Sequence, residues 1–334
     1  MPPESPSSDE RPTLKTIAFL TGLGVTTVSR ALKDGPEIGE ETRQRVKLIA
    51  QQIGYRPNRA GVRLRTGKTN VISLILNVQD EGYGFLSAFI YGISEGLADT
   101  NYHLVITPYS LSDPMEPVRY IVETKSADGI IISRTEANDP RVRYMQAHGM
   151  AFATHGRTEI ETPHAYCDYD NAEFAREAIR QLVRRGRRKI ALLGPPASLY
   201  YRKHTIAGFL EGMQKAGLSA IVFDTIDTDA PMNEMKAFAE ALGKSGDRPD
   251  GFACSSAMGA MSMISGLEAA GLTIGREFDI VAKQAAVPLN WYRKEIITVD
   301  EDFHAAGASL AKAVVRVIDG ADPASLQTLL KPEI

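Results

Sequence analysis

The chain has 334 residues, 43% of them hydrophobic and 24% charged, with a formal net charge of −3 at pH 7. That length supports two or three domains with sizeable cores, and the composition is ordinary for a soluble globular protein. No apolar run approaches the roughly eighteen residues of a membrane span, so no membrane partner is expected.

The chain opens on MPPESPSSDE, which is polar, acidic and rich in Pro and Ser. It lacks the basic start and apolar stretch of a secretory signal, and residues 1–12 read as a disordered tail. Cys167 and Cys254 have neither the number nor the spacing of a disulfide framework or a metal centre. With no export signal, the expected compartment is the reducing cytoplasm.

The net charge conceals an asymmetry. Residues 11–68 carry a net +8 and residues 69–334 a net −8. A basic block on a mildly acidic body is expected where one end meets phosphate; a solvated basic face without a partner has the same composition.

Residues 14–54 read as three short helices. LKTIAFLT stops at Gly22-Leu23-Gly24. VTTVSRAL places Val25, Val28 and Leu32 at helical spacing. The third runs from about Glu40 to Ile53, with Val46, Ile49 and Ile53 on one face. Glu40 and Glu41 suit its positive N-terminal end, and Gly54 suits the position that ends it. Residues 59–68, RAGVRLRTGK, have no apolar face to bury and are expected to need a partner to become ordered.

From residue 70 short β-rich runs alternate with helical patterns. The strands expected are 71–76, 103–109, 129–133, 151–155, 189–194, 221–225, 251–256, 279–284 and 295–299. Helices are expected at 85–99, 171–185, 202–216, 257–270 and 303–319, among others. Repeated β-α units with apolar strands predict parallel sheets covered on both faces. About 260 residues is large for one sheet, so two α/β lobes are expected, with a ligand cleft beyond the carboxyl ends of their strands.

Helix, glycine-containing turn and helix over residues 13–32 form a helix-turn-helix, whose second helix lies in the major groove. Its N-terminal side offers Val25, Thr26 and, one turn on, Arg30. An arginine can grip guanine O6 and N7 with two bonds, Thr26 and Thr27 can offer hydroxyls, and Val25 can touch a thymine methyl. TLKTIA, TTVSRAL, ETRQRV, GYRPN and LRTGKT, in that order and spacing, resemble the LacI/GalR family of bacterial repressors. The resemblance is dense over residues 13–69 and looser over the rest.

The resemblance implies roles position by position. Val25, Thr26 and Arg30 would face bases; Thr27, Thr42 and Asn58 would lie near phosphates. Tyr55 would pack near the DNA, and Leu64, flanked by Arg63 and Arg65, would wedge into the minor groove. Such a wedge costs a few kcal/mol of unstacking, offset by the contacts that bending allows. The chain departs from the family where Gly24 and Gly39 replace capping serines and Gly61-Val62 replaces an Ala-Arg pair.

The implied fold class is α/β: an N-terminal all-α helix-turn-helix head (13–58), a hinge (59–69) and a two-lobed effector domain like the periplasmic binding proteins. The first lobe would hold residues 70–167 and 299–327, the second 168–298 and 328–334. Crossings are expected near 166–170, 286–294 and 328, with the chain ending short of the last strand of many relatives. The family's usual ligand residues are largely replaced by Thr205, Ser255-Ser256 and Lys283-Gln284-Ala285. The remaining cleft candidates are Tyr83, Phe85, Ser133, Arg134, His155, Arg157, Tyr201, Arg202, His204 and Trp291. Aromatic rings beside fixed donors suit a polyol.

No metalloprotease, P-loop or nucleophile-elbow motif is present, and neither an enzyme activity nor a cofactor or metal is expected. The expected protein is a homodimeric repressor that binds a palindromic operator in double-stranded DNA and is switched by a small-molecule effector, a sugar. The alternative is a sugar-binding sensory module whose basic arm docks a protein or membrane; a steep salt dependence of DNA binding separates the two.

Overall fold

The computed structural model describes residues 12–55, 67–77, 85–109, 113–284 and 289–333. The chain divides into two compact units, 1–69 and 70–334.

The described residues of the first unit form three helices: α1 (Leu14–Thr21), α2 (Val25–Ala31) and α3 (Glu40–Gln52). Thr13 caps α1 through a reciprocal pair with Thr16, and Gly22 ends it in the left-handed region at φ 71°. Gly24 and Gly39 occupy the caps of α2 and α3 with no side-chain hydrogen bond. Ile17, Val28, Ala31, Val46 and Ala50 form a small core, with Leu14, Leu23, Leu32 and Ile53 packed around it.

The second unit contains two parallel sheets. The first has the order β11-β5-β4-β3-β1-β2, built from β1 (Val71–Leu76), β2 (His103–Pro108), β3 (Gly129–Ile132), β4 (Ala151–His155), β5 (Ala165–Tyr169) and β11 (Gln327–Leu330). On one face it packs α4 (Phe85–Gly96) and α12 (Phe303–Ile318), with Phe89, Ile93, Leu310 and Val314 buried; on the other lie α5 (Glu116–Thr124) and α6 (Pro140–Ala147), with Val118, Ile121, Val142 and Met145. The helices α4 and α12 touch backbone to backbone. A Cβ on Gly92 would lie 2.0 Å from the carbonyl oxygen of His304, so only glycine fits.

The second sheet has the order β10-β9-β8-β6-β7: β6 (Ile190–Leu193), β7 (Ile221–Val222), β8 (Gly251–Cys254), β9 (Asp279–Gln284) and β10 (Ile297–Asp300). It is covered by α7 (Asn171–Arg184) and α8 (Tyr201–Lys215) on one face and by α9 (Met232–Gly243) and α10 (Ala257–Ala269) on the other. A short helix, α11 (Leu289–Tyr292), precedes β10.

The lobe boundaries differ from those expected. Residues 168–169 end β5 and belong to the first sheet, while 299–300 end β10 and belong to the second. The second crossing therefore lies at 300–302, not 286–294. Residues 328–330, expected in the second lobe, pair with β5 in the first sheet, and only Glu333 reaches back to bridge Asp300. β11 is a strand that was not among those expected. AYCDY and QTLL were missed because both are short and partly polar, with β11 an exposed edge. The strand expected over 221–225 is only two residues long.

Candidate functional site

In the three-helix unit, the first turn of α2 points its side chains outward. Val25 is 42% exposed, and Thr26 and Arg30 are also exposed, while Val28 on the opposite face is fully buried. The helical period that anchors Val28 and Ala31 in the core is what turns Val25, Thr26 and Arg30 to the outside. Arg30 Nη1 lies 3.3 Å from Glu37 Oε1, with both side chains about half exposed. Such a surface pair contributes at most about 1 kcal/mol and is readily exchanged for another acceptor. Thr27 is half-buried, as is Thr42 in the first turn of α3. Tyr55 packs on the small core, with its N–H donating to Ala50 O at 2.9 Å. Asn58, Arg63, Leu64 and Arg65 lie outside the described residues.

In the larger unit, the loops after β3 and β4 meet those after β6 and β7. Tyr200 N–H donates to Thr135 O at 2.9 Å, and Glu136 pairs with Leu199 in a short antiparallel bridge. The carboxyl ends of the two sheets therefore face each other. Arg134, in the left-handed region at φ 54°, reaches across to pair with Asp229. Ser133 beside it is buried. Lys203 pairs across the same seam with Glu159.

Deeper in, polar groups from both lobes and both crossings converge. Lys283 Nζ on β9 lies 2.6 Å from Glu301 Oε2 and 3.1 Å from Asn171 Oδ1. It also sits over the rings of Tyr169 and Tyr201, at 5.1 and 5.3 Å from their centroids. The contact with Glu301 Oε2 is ionic without hydrogen-bond geometry, so that buried oxygen accepts no hydrogen bond. Glu301 Oε1 is 3.6 Å from His155 Nε2, whose ring packs on Phe89 and Phe303. Burial holds the His155 imidazole below its ordinary pKa, which favours the neutral ring. Arg157 Nε donates to Asp168 Oδ2 at 2.6 Å.

The other expected cleft residues divide. His204 packs edge-on against Tyr200, and its buried Nε2 has no hydrogen-bond partner; burial, then the Arg157 charge, lowers its pKa. Ser255 is buried with its hydroxyl unpartnered. Arg202 donates to Pro195 O and lies 3.5 Å from Asp224. Thr205 is fully buried and its hydroxyl donates to Tyr201 O in its own helix, which leaves no exposed surface for a ligand. Gln284 Oε1 accepts from Leu289 N–H at 3.1 Å. Trp291 stands 85% exposed on α11. Phe85 opens α4, and Tyr83 lies outside the described residues. A depression of about 280 Å³ at the seam, lined by Glu159, Tyr200, Arg202 and Lys203 among others, is separate from the Lys283–Glu301 cluster.

Sequence reasoning missed Asp168, Asn171, Asp229 and Glu301. Glu301 sits two residues past the strand expected over 295–299, close to a carboxyl end as most of the named candidates are, and that signal was available. Asp168 lies on a strand that was not expected, and Asp229 on a long loop. Burial pushes both thiols, Cys167 and Cys254, up to about 12. Among the described residues no cluster of His, Cys, Asp or Glu has the makings of a metal site, and no helix is long and apolar enough to cross a membrane.

A basic helix-turn-helix unit carried in one chain with a two-lobed α/β unit defines a DNA-binding regulator with a separate domain of the small-molecule-binding type. Residues 13–58 match the family of bacterial regulatory proteins named for lacI, and residues 69–328 match the periplasmic binding proteins and sugar binding domain of the LacI family. The chain belongs to the LacI family of helix-turn-helix transcriptional regulators, with a sugar-binding-type effector domain. It is 32% identical to the transcriptional regulator AglR of Rhizobium meliloti (strain 1021) over 314 residues, 90% of this chain and 86% of that protein. The fold is that of the lac repressor dimer bound to operator and the anti-inducer ONPF, with TM-score 0.81, 17% identity and 97% of each chain covered. It is also that of a complex of the regulator CelR with cellobiose, with TM-score 0.70, 21% identity, and 97% and 98% of the two chains covered. The relatives AglR, RafR and CelR are all named as transcriptional regulators, not enzymes.

Proposed function

We propose that the protein is a cytoplasmic, homodimeric repressor of genes for the uptake or breakdown of a carbohydrate, released from or locked onto a palindromic operator by that carbohydrate. The observation that carries this reading is the outward face of α2, where Val25, Thr26 and Arg30 stand clear of a core that Val28 and Ala31 fill, in a segment of net charge +8. Two-fold symmetry would set two such helices in successive major grooves, about 34–36 Å apart. Leu64 would enter the minor groove between them, with Arg63 and Arg65 along its negative walls and Asn58 at a phosphate. Ordering about seven hinge residues on DNA costs on the order of 7–14 kcal/mol per chain. Groove contacts offset that cost with little to spare, so a coupling of about 1–3 kcal/mol from the cleft is enough to switch occupancy. The cellobiose seated in the CelR complex, whose fold this chain shares, supports a carbohydrate effector.

The test is fluorescence anisotropy of the full chain on a palindromic duplex selected from random sequence. Binding is expected to weaken with salt at a log–log slope near −0.9 per phosphate contacted, and Leu64→Ala to remove the specific complex while ligand binding survives. A flat salt dependence, or docking of the basic arm to protein or vesicles in place of duplex, would replace this reading with that of a sensory module.

A further inference from the structure

Five cations gather where the two sheets' carboxyl ends face each other, and each already has a carboxylate. Arg134 pairs with Asp229, Arg157 with Asp168, Arg202 with Asp224, Lys203 with Glu159 and Lys283 with Glu301. Among the described residues of this region, then, no cation waits for an anionic ligand. Asp227 adds a further carboxylate on the β7–α9 loop, where its Oδ1 accepts from Asp229 N–H.

Two buried polar atoms among the region's described residues lack any partner, Ser255 Oγ and His204 Nε2, and a third, Glu301 Oε2, touches only Lys283 Nζ, at 2.6 Å and without hydrogen-bond geometry. Buried polar groups are normally hydrogen-bonded, so atoms of this kind in a binding cleft mark where ligand groups go. One is a carboxylate oxygen that can only accept, one a hydroxyl, and one a ring nitrogen on a histidine whose charge burial disfavours. Beside Lys283, that carboxylate oxygen can still accept a hydrogen bond from a ligand O–H. A phosphate or carboxylate there would set a second negative charge against Glu301 at low exposure, where like charges are strongly disfavoured.

We infer that the Glu301–Lys283 pair makes this cleft selective for an uncharged polyhydroxy effector, a neutral sugar or oligosaccharide, against sugar phosphates and sugar acids. Glu301 accepts a hydrogen bond from a ligand hydroxyl and balances the charge of Lys283, which would otherwise attract an anion. This rests on the carbohydrate reading above and narrows it to a charge class.

Isothermal titration of the full chain compares cellobiose, maltose, melibiose and sucrose with glucose 6-phosphate and galacturonate. At least one neutral disaccharide is expected to bind saturably, with both anions at least about 100-fold weaker. Glu301→Gln keeps the size of the side chain and frees Lys283. It is expected to weaken the neutral ligand about tenfold and to bring in glucose 6-phosphate or galacturonate binding. An unchanged thermal midpoint of the unliganded variant would show that it folds, and Lys283→Met is the second variant, expected to bind neither anion. Tighter binding of an anion than of every neutral sugar by the native protein overturns the inference and leaves a carbohydrate regulator standing. Silence across the whole panel, with operator binding intact, overturns the carbohydrate reading and this inference with it.

Discussion

In the head, Arg30 lies half exposed beside one surface carboxylate, whereas in the effector unit Lys283 is largely buried and held by Glu301, Asn171 and two aromatic rings. The difference follows from what each meets. A duplex carries a phosphate charge every few ångströms, and a protein gains by offering cations whose own pairs are weak enough to be given up. A cleft floor between two packed lobes is poor in water, and a charge left unpaired there costs several kcal/mol. One region keeps its charges available; the other keeps them balanced.

The comparison breaks first if the cleft does not depend on rigid packing. Phe89 is fully buried beneath His155. Phe89→Ala is expected to destabilise the effector unit by about 3–5 kcal/mol, read by denaturant unfolding, and to abolish ligand binding at ordinary temperature. A loss below about 1 kcal/mol would mean that the floor is loosely packed and the balance argument has no rigid frame.

Next in size is an acid effect confined to the effector unit. His164 is buried against Phe152, its Nε2 is 3.0 Å from Thr154 Oγ1, and burial lowers its pKa to about 4. The folded value lies below the unfolded one, near 6.5, so the unfolded chain binds the proton first. Stability is full above about pH 6.5 and declines as the pH falls towards 4, by on the order of 3 kcal/mol in total. In His164→Asn the unfolding free energy should show a correspondingly shallower fall between pH 6.5 and 4; an unchanged pH profile would exclude this group as the cause.

In the head, Arg30→Ala is expected to weaken operator binding by about 1–3 kcal/mol, or roughly 5- to 150-fold, and to flatten preference at one base pair. Ligand affinity measured on the same preparation should not change. Equal loss on every duplex would make Arg30 a phosphate contact instead of a base reader.

The smallest effect is expected at the seam. Arg134 and Asp229 remain partly exposed, so Asp229→Asn should shift the thermal midpoint by the equivalent of less than about 1 kcal/mol, and by less still in high salt. A larger, salt-insensitive shift would place this pair with the buried ones.

Much of the fold was legible along the chain. LKTIAFLT was read as a helix over the same residues that form α1, because its apolar spacing and the stop at Gly22 are local signals. Asp279–Gln284 was likewise read to the residue, as an apolar run bounded by polar turns. β5 and β11 were not, since strands of four or five partly polar residues carry little periodicity. Of the cleft, His155, Arg157, His204 and Lys283 were singled out by their place at or beyond the carboxyl ends of strands and Ser255 by the family resemblance, but Thr205 proved to be committed within its own helix. Asp168, Asp229 and Glu301 went unnoticed because each takes its meaning from a partner that folding brings to it.

The sequence alone was enough to place a helix-turn-helix and an α/β body with two sheets, since glycines, apolar periods and charge blocks all act within a few residues. The pairing of Lys283 with Glu301, of Arg134 with Asp229, and of the last strand with β5 was decided only by the tertiary structure. Those partners lie from 18 to more than 150 residues apart in number, on loops whose meeting depends on how the two sheets stack their helices and turn their carboxyl ends together. Charge compensation depends on distance in space, and local sequence patterns do not encode it.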